Sequence, residues 1–341
     1  IMSYKRFDQQ DVVVSAESVT SPVWSNDQVT LTGFFTSSTQ TGGTSGDFFF
    51  DIYQTGSSLS GARVQLSAAY ADKKGSGSLL YNDNVTGKSP SSTVYGQYRS
   101  LALGDEDADF SFGGVTSEYF YILNIDRARY KEKLLPGSTD IVLGISGSSR
   151  RLNLTDNSNT ITTTTFNDSG RVYELVSGTL GSVNISLNVN GYTNGEGSYG
   201  FLLPDIGVIL LNGRALDATA ADGGIDLGTN RQNNTAGNNV RLIYNNLRDG
   251  GSFRIQAEET ISSNFVFVRA RNAEFNYSTN PSLITGSGEL RFNVMINSPQ
   301  SFITTVGLYN DNNDLLAVAK LSRPLLKDFN KEALIRIKLD Y

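Results

Sequence analysis

The side chains that most often carry chemistry at neutral pH are missing here: among 341 residues there is no histidine and no cysteine. Their absence removes the commonest general base, the thiol nucleophile and the usual soft or borderline metal ligands. A Ser-His-Asp triad is excluded outright. What remains is carboxylates, amides and cations. Asp105-Glu106-Asp107-Ala108-Asp109 offers hard oxygen donors of the kind Ca²⁺ or Mg²⁺ takes, but lacks the loop glycine and distal glutamate of an EF-hand. A solvated acidic loop is the better reading. In Asn310-Asp311-Asn312-Asn313-Asp314 the Asn and Asp residues suit a self-capping hairpin turn rather than a calcium loop. Glycoside hydrolysis needs two acids roughly 5–10 Å apart beside a sugar cleft. The 34 acidic residues could furnish such a pair, yet a single tryptophan, Trp24, is thin provision for stacking sugars. Glycine-rich pieces such as Thr41-Gly42-Gly43-Thr44-Ser45-Gly46 lack the Lys-Ser/Thr of a phosphate-binding loop. No catalytic residue, metal or cofactor is therefore assigned, and the chain is not expected to be an enzyme.

The cations point to contacts instead. Arg127, Arg129, Lys131 and Lys133 form a local basic run with only Tyr130 interleaved, too few aromatics for a nucleic-acid platform. Such a run suits a solvated helix face or one half of an ionic contact with an acidic partner subunit. Arg127, Arg129 and Lys131, with Arg336, Lys338 and Tyr341 of the last strand, are the interface candidates. With 28 Lys and Arg against 34 Asp and Glu the formal charge is −6, which opposes non-specific binding to phosphates. No apolar run approaches the roughly 18–20 residues of a membrane span, and the first residues lack the apolar core of a signal peptide. Neither nucleic acid nor membrane is expected as a partner.

The elements that position these residues read mainly as strands. Hydrophobic content of 38%, with 16 Tyr and 18 Phe, favours a β-rich fold of two or more small sandwich- or barrel-like domains. Strand-like runs occupy 11–20, 28–35, 47–53, 140–146, 151–154, 171–176 and the alternating stretch 182–190. Two short helices are expected near 61–74, where Val64, Ala68 and Ala71 share a helical face, and near 126–135, after Asp126 as cap. From Ala218 to Asn239 the chain reads as a long polar surface loop. A division near Gly181 separates an N-terminal domain, 1–180, from a C-terminal one, 181–341. Phe302–Tyr309 and Leu315–Leu321 flank the Asn310–Asp314 turn as a hairpin. The last strand, Ala333–Tyr341, alternates Ile335, Ile337, Leu339 and Tyr341 with Arg336, Lys338 and Asp340, so it should be tied into a sheet, its own or a neighbour's.

Several stretches resemble a known family. Ser3–Ser18, Ser89–Arg99 and Arg127–Gly137 are similar to segments of structural proteins of contractile-tailed bacteriophages, notably those infecting cyanobacteria. The stretch from Val306 to Lys320 resembles a hairpin of tail-fibre and baseplate components. The resemblance spans both ends and the middle of the chain and includes no catalytic motif. It implies a place in the virion, in the phage tail, with other tail and baseplate proteins as homo- and hetero-oligomeric partners. Within the tail it implies a baseplate wedge component. The rival expectations are a head or neck protein (decoration or collar) and a carbohydrate-binding or depolymerising receptor module.

Overall fold

The computed structural model describes residues 4–29, 33–36, 49–54, 63–77, 89–144, 147–232, 238–278 and 280–340. Strands dominate them, as the aromatic and β-branched content predicts. Strands β1 (Val12–Pro22), β2 (Gly33–Thr36), β3 (Phe49–Tyr53) and β4 (Val64–Asp72) come first, followed by helix α1 (Pro90–Leu103). A small hairpin, β5 (Ser111–Phe112) and β6 (Val115–Thr116), leads into β7 (Tyr119–Ile125), β8 (Lys133–Leu134), β9 (Asp140–Gly144) and β10 (Arg151–Asp156). Then come β11 (Thr165–Asn167), β12 (Gly170–Thr179), β13 (Ser182–Val183), β14 (Gly200–Leu203) and β15 (Val208–Asn212). Helices α2 (Gly213–Asp217) and α3 (Asn238–Arg248) precede β16 (Ser252–Arg254) and β17 (Gln256–Ala270). The short helix α4 (Val294–Asn297) and strands β18 (Ser301–Tyr309), β19 (Leu315–Lys327) and β20 (Ala333–Asp340) complete the order.

Two compact units result, one of Val19–Glu259 and a smaller one of Ile1–Ser18 with Thr260–Tyr341. Gly181, near which the sequence suggests a division, lies in the β12–β13 turn inside the larger unit, and its φ of +77° suits glycine there. The larger unit is organised by one antiparallel sheet in the order β16-β9-β10-β12-β14-β15-β7-β4-β3-β2, with β11 and β13 beside β12. Strand β7 is buried at every position except Asn124. Its alternate side chains serve different cores: Phe120 and Ile122 meet Tyr95 and Ala102 of α1, while Tyr121, Leu123 and Ile125 join the cluster that includes Val240, Ile243 and Leu247 of α3. Neighbouring β15 does the same, with Leu210 on one side and Ile209 and Leu211 on the other. A helix is thus needed on each face of the sheet.

Both expected helices are corrected. Residues 64–72 form strand β4, because the positions that fit a helical face also fit alternation: Leu66, Ala68 and Tyr70 face one core and Ala71 the other. Pairing with β3 on one side and β7 on the other outweighs the alanines' helical preference. After Asp126, whose Oδ1 accepts from Ala128 N at 2.9 Å as a cap should, a single 3₁₀ turn (Arg127–Arg129) gives way to extended chain. Basic residues at every second position keep the period of a strand, and Lys133–Leu134 pairs with β17. The alternating stretch 182–190 pairs only through its first two residues. Asn184 and Asn188 turn their side chains onto the backbone N–H of Ser186 (3.0 Å) and Asn190 (3.1 Å), competing with the ladder. The two substantial helices, α1 and α3, were not among the expected elements. Each carries a readable signal: Pro90 at the first turn and Gly104 (φ +65°) at the end of α1, and Val240, Ile243, Tyr244 and Leu247 at helical spacing in α3. The 218–239 stretch is not wholly surface loop, since Ile225 is fully buried and α3 begins at Asn238. The Ser/Thr/Gly tract at 37–46 lies outside the described residues.

In the smaller unit a sheet of order β1-β17-β20 is covered by the β18–β19 hairpin. The hairpin is the one read from the sequence, with Asn310 Oδ1 accepting from Asn312 N (3.0 Å) and Asp314 N (2.7 Å) to close its turn. Strand β20 alternates as expected, its Ile335 and Ile337 packing with Val266 and Leu308.

Two glycines separate backbone need from idle freedom. Gly200 sits at φ +144°, where a Cβ would stand 1.8 Å from the Leu210 carbonyl oxygen, whereas a Cβ on Gly96 of α1 meets nothing within 4 Å. Replacing Gly200 by alanine is expected to destabilise by about 3 kcal/mol or more, and Gly96→Ala to stabilise by about 1 kcal/mol. Urea unfolding of both variants checks the pair.

Candidate interaction surfaces

The six interface candidates do not converge on one site. Arg127, Arg129 and Lys131 belong to the larger unit, Arg336 and Lys338 to the smaller, and Tyr341 lies outside the described residues. Each described cation already has a partner within the chain. The Arg127 guanidinium covers the Tyr130 ring at 4.6 Å and donates to the Tyr130 carbonyl. Arg129 donates through Nε to the Val64 carbonyl at 2.9 Å, fastening the start of β4. Lys131 pairs with Glu259 at 2.7 Å. On the outer face of β20, Arg336 lies 5.5 Å from the centre of the Phe265 ring, and Lys338 bridges Glu17 (3.1 Å) and Asp340 (3.3 Å).

The acidic residues are also occupied. Within 105–109, Asp105 Oδ1 accepts from Asp107 N at 2.8 Å and Asp109 pairs with Lys73. Among the described residues no three His, Cys, Asp or Glu side chains gather in a way that could hold a metal ion. The densest polar cluster sits at one end of β4 and β7. Arg231 donates to fully buried Asp72 at 2.7 Å and to Glu118 at 2.9 Å, and its guanidinium lies 4.6 Å from the Tyr119 ring centre. Asp217 accepts from Tyr119 Oη and from both the N–H and the hydroxyl of Thr229, each at 2.9 Å. Asn239 accepts from Asn230 N at 2.9 Å. The Arg231 hydrogen bonds hold the Glu118 carboxyl below its ordinary range, and burial followed by Asp217 pushes the Tyr119 phenol up. Asp72 and Glu118 share one arginine, and Asp217 accepts from three donors. The cluster fastens the polar 218–232 segment to the sheet rather than presenting an acid and a nucleophile to a substrate.

Glu174 is the exception in direction. Burial raises its carboxyl above the ordinary value, while hydrogen bonds from Ser198 Oγ and Gly113 N pull the other way. It joins β12, the β5–β6 turn and the start of β14, and no second carboxylate contacts it among the described residues.

The largest unused feature is apolar. Most of the big side chains left exposed belong to the smaller unit. On the hairpin, Val306, Leu308, Ala317, Ala319 and Leu321 face the core, while Phe302, Leu316 and Val318 are 62%, 67% and 58% exposed. Phe292, Val294 and Ile296, around α4, are exposed as well, as are Val13 and Val14 of β1. Among the described residues the buried cluster beneath is Val266, Leu308, Ile335 and Ile337, with other hydrophobics only partly buried against it. No further strand pairs with β18 or β19 among the described residues, and β20 ends its sheet. A two-stranded ribbon is marginal in water, and uncovered apolar faces of this kind mark interaction sites. The sequence showed the hairpin's strands but not that apolar residues are left exposed on them; Leu316 and Val318 near the turn and Phe302 at the far end are the signal. Compared with models of protein families, with curated proteins and with solved structures, the chain matches none.

Two stability tests follow from the carboxylates. Arg231→Ala leaves buried Asp72 unpaired and should destabilise by about 3 kcal/mol at pH 7. Because the Glu118 pKa is lowered on folding, its contribution is full above the unfolded carboxylate value and fades as pH falls through the folded one. The variant should lose that part of the acid dependence. Glu174 has the opposite sign: with a raised folded pKa, its contribution is full below the unfolded value and is lost as pH rises through the folded one. Glu174→Gln should therefore gain on the parent protein in thermal melts as pH rises from 4 to 7.

Proposed function

We propose that this chain is a non-enzymatic structural subunit of a contractile bacteriophage tail, a baseplate wedge component, and that it works by being held between neighbouring subunits. The tail assignment is supported by the likeness of Ser3–Ser18, Ser89–Arg99, Arg127–Gly137 and Val306–Lys320 to such proteins. The structural role is supported by one observation above the others: among the described residues the smaller unit combines a core cluster of only four buried hydrophobics with exposed Phe302, Leu316 and Val318 on an otherwise unpaired ribbon. A unit with so little core gains stability when neighbours cover its apolar faces and extend its sheets. The larger unit has helices on both faces of its sheet and a far larger buried core of its own. Tyrosine-rich composition suits contacts of this kind, giving apolar area with a hydroxyl at low entropic cost.

Removing the last strand is a poor probe, because Ile335 and Ile337 are core residues and the unit would unfold. Leu316→Glu combined with Val318→Lys is a better one. Both side chains are exposed, so the melting temperature should stay within the range of about 0.5 kcal/mol in stability typical of surface changes. Incorporation into purified phage particles, measured by immunoblot against the unaltered chain, should fall at least tenfold, an order-of-magnitude expectation for disrupting an interface centre. Normal incorporation of the double variant, or absence of the unaltered chain from particles, overturns the proposal.

A further inference from the structure

In the larger unit five arginines are tied to acids, Arg171 to Asp205, Arg214 to Glu196, Arg248 to Asp249, Arg254 to Asp140 and Arg231 to Asp72, while others, such as Arg127 and Arg129, rest on carbonyls and rings. Arg150 and Arg151 are also without an acid. Neither meets a carboxylate among the described residues; Arg151 is held instead by a backbone bond from its Nε to the Gly250 carbonyl at 2.9 Å. Its guanidinium packs on Gly144 and Gly250, so the exposed Arg150 is the cation turned to neither, and both residues contribute to the wall of a cavity of about 250 Å³ at the ends of β10 and β12. Asn153, Thr179, Asn184 and Ser186 are also on its wall, and no Asp or Glu is.

The polar wall is pre-set. Asn153 Nδ2 donates to Thr179 Oγ1 at 3.3 Å, and Asn184 Oδ1 accepts from Ser186 N at 3.0 Å, which fixes both amides. At the back, the buried Tyr199 donates its hydroxyl to the Gly223 carbonyl at 2.7 Å. The Asn184 amide N–H groups and the Thr179 and Ser186 hydroxyls remain as donors. In a chain of net charge −6, Arg150, a cation with no described acid beside it on the wall of a concavity, makes a local potential that collects anions. A guanidinium fork matches a planar carboxylate in two parallel bonds, and amides with hydroxyls match sugar hydroxyls. The volume is just below the roughly 300–1,000 Å³ of pockets for larger ligands, which suits one pyranose ring. No aromatic face is open for stacking, since Tyr199 is fully buried, so the carboxylate must carry recognition.

We infer that this cavity binds a carboxylate-bearing sugar, a hexuronic acid, with Arg150 on the carboxylate and Asn153, Asn184 and Ser186 on ring hydroxyls. The sugar is either free or one residue of an acidic polysaccharide.

Saturation-transfer NMR on the full chain tests this with methyl glucuronide, methyl glucoside, a hexuronate oligosaccharide and sodium sulfate. The glucuronide should bind and the neutral glucoside should bind at least about tenfold more weakly, the size expected for losing hydrogen bonds to a charged group. Tighter binding of the oligosaccharide identifies a polysaccharide as the source, and equal binding a free sugar acid. Arg150→Gln, an exposed change with no internal bond to lose, should weaken glucuronide binding about tenfold with an unchanged melt. No transfer from the glucuronide, equal binding of the glucoside, displacement by equimolar sulfate, or full binding by Arg150→Gln overturns the inference. The assay reads the sugar alone, so its outcome is independent of whether the chain enters phage particles.

Discussion

A sheet whose central strand is apolar on both sides has to be covered twice. Strand β7 places Phe120 and Ile122 on one face and Tyr121, Leu123 and Ile125 on the other, and all five are buried. That constraint calls for α1 against one face and α3 against the other, and it makes the order of the sheet around β7 hard to change: a register slip of one residue would exchange the two cores. The aromatic side chains show how different the cores are. Phe110, Phe112 and Phe120 pack with Tyr95 at ring separations from 4.6 to 6.4 Å, an all-carbon cluster apart from one phenol. Across the sheet Tyr70, Tyr119 and Tyr121 stack toward Arg231 and Asp217 and end in a polar network. One face of the sheet is therefore purely a packing surface, and the other also serves as an anchor for chain that has no regular structure.

Fixing such chain without disulfides is the second requirement that the composition imposes. The solution recurs: a buried acid gathers backbone N–H groups. Asp156 is fully buried and accepts from Gly137 N through both oxygens and from Ser158 N. Asp72 accepts from Lys74 N and Ser76 N beneath its bond to Arg231. Asp205 takes the Arg171 backbone N–H and its guanidinium together, and although burial alone would raise its pKa, those bonds hold it below the ordinary value. The smaller unit uses an amine for the same purpose. Lys327 is fully buried, and its ammonium donates to the carbonyls of Asn272 and Asp328 and to Asn276 Oδ1, one acceptor for each of its three protons. Neutral oxygens alone satisfy that charge, so the bolt ties the 272–276 loop to the end of β19 without a partner acid.

The sequence made strands legible wherever alternation coincided with burial on one face, as in β20 and the β18–β19 hairpin. It misled where two periods overlapped. Val64, Ala68 and Ala71 satisfy a helix as well as a strand, and only the neighbours β3 and β7, distant in sequence, decide between them. In 182–190 the alternation misled: Ile185 and Val189 are exposed, and Asn184 and Asn188 gave the backbone a local alternative. The cations chosen from the sequence could be placed but not their partners: the Lys131–Glu259 and Arg129–Val64 contacts join residues far apart in the chain. Arg150 carried no sequence signal at all, because what distinguishes it is its place on the wall of a cavity, a property of the fold alone.

The open edges of the smaller unit raise the question of how the chain avoids aggregating. Unpaired strand edges beside exposed Leu316, Val318 and Phe302 are templates for indiscriminate pairing. The chain carries the usual countermeasures on those same strands. Arg336 and Lys338 alternate along β20, Lys320 and Arg323 stand exposed on β19, and Pro324 lies in β19 where the register with β18 shifts between Ile303 and Thr305. Proline removes a ladder donor and the irregularity twists the ribbon, so a flat, identical edge is not offered to every passing strand. Positive charge on an edge also discriminates among partners, since a second β20 laid antiparallel about Ile337 would set Arg336 against Lys338. Self-pairing in that register is opposed, and a strand with acidic side chains at the matching positions is favoured. The same apolar residues that leave this unit poorly stabilised alone can then be exposed safely, because the charges and the proline restrict which neighbour is able to cover them.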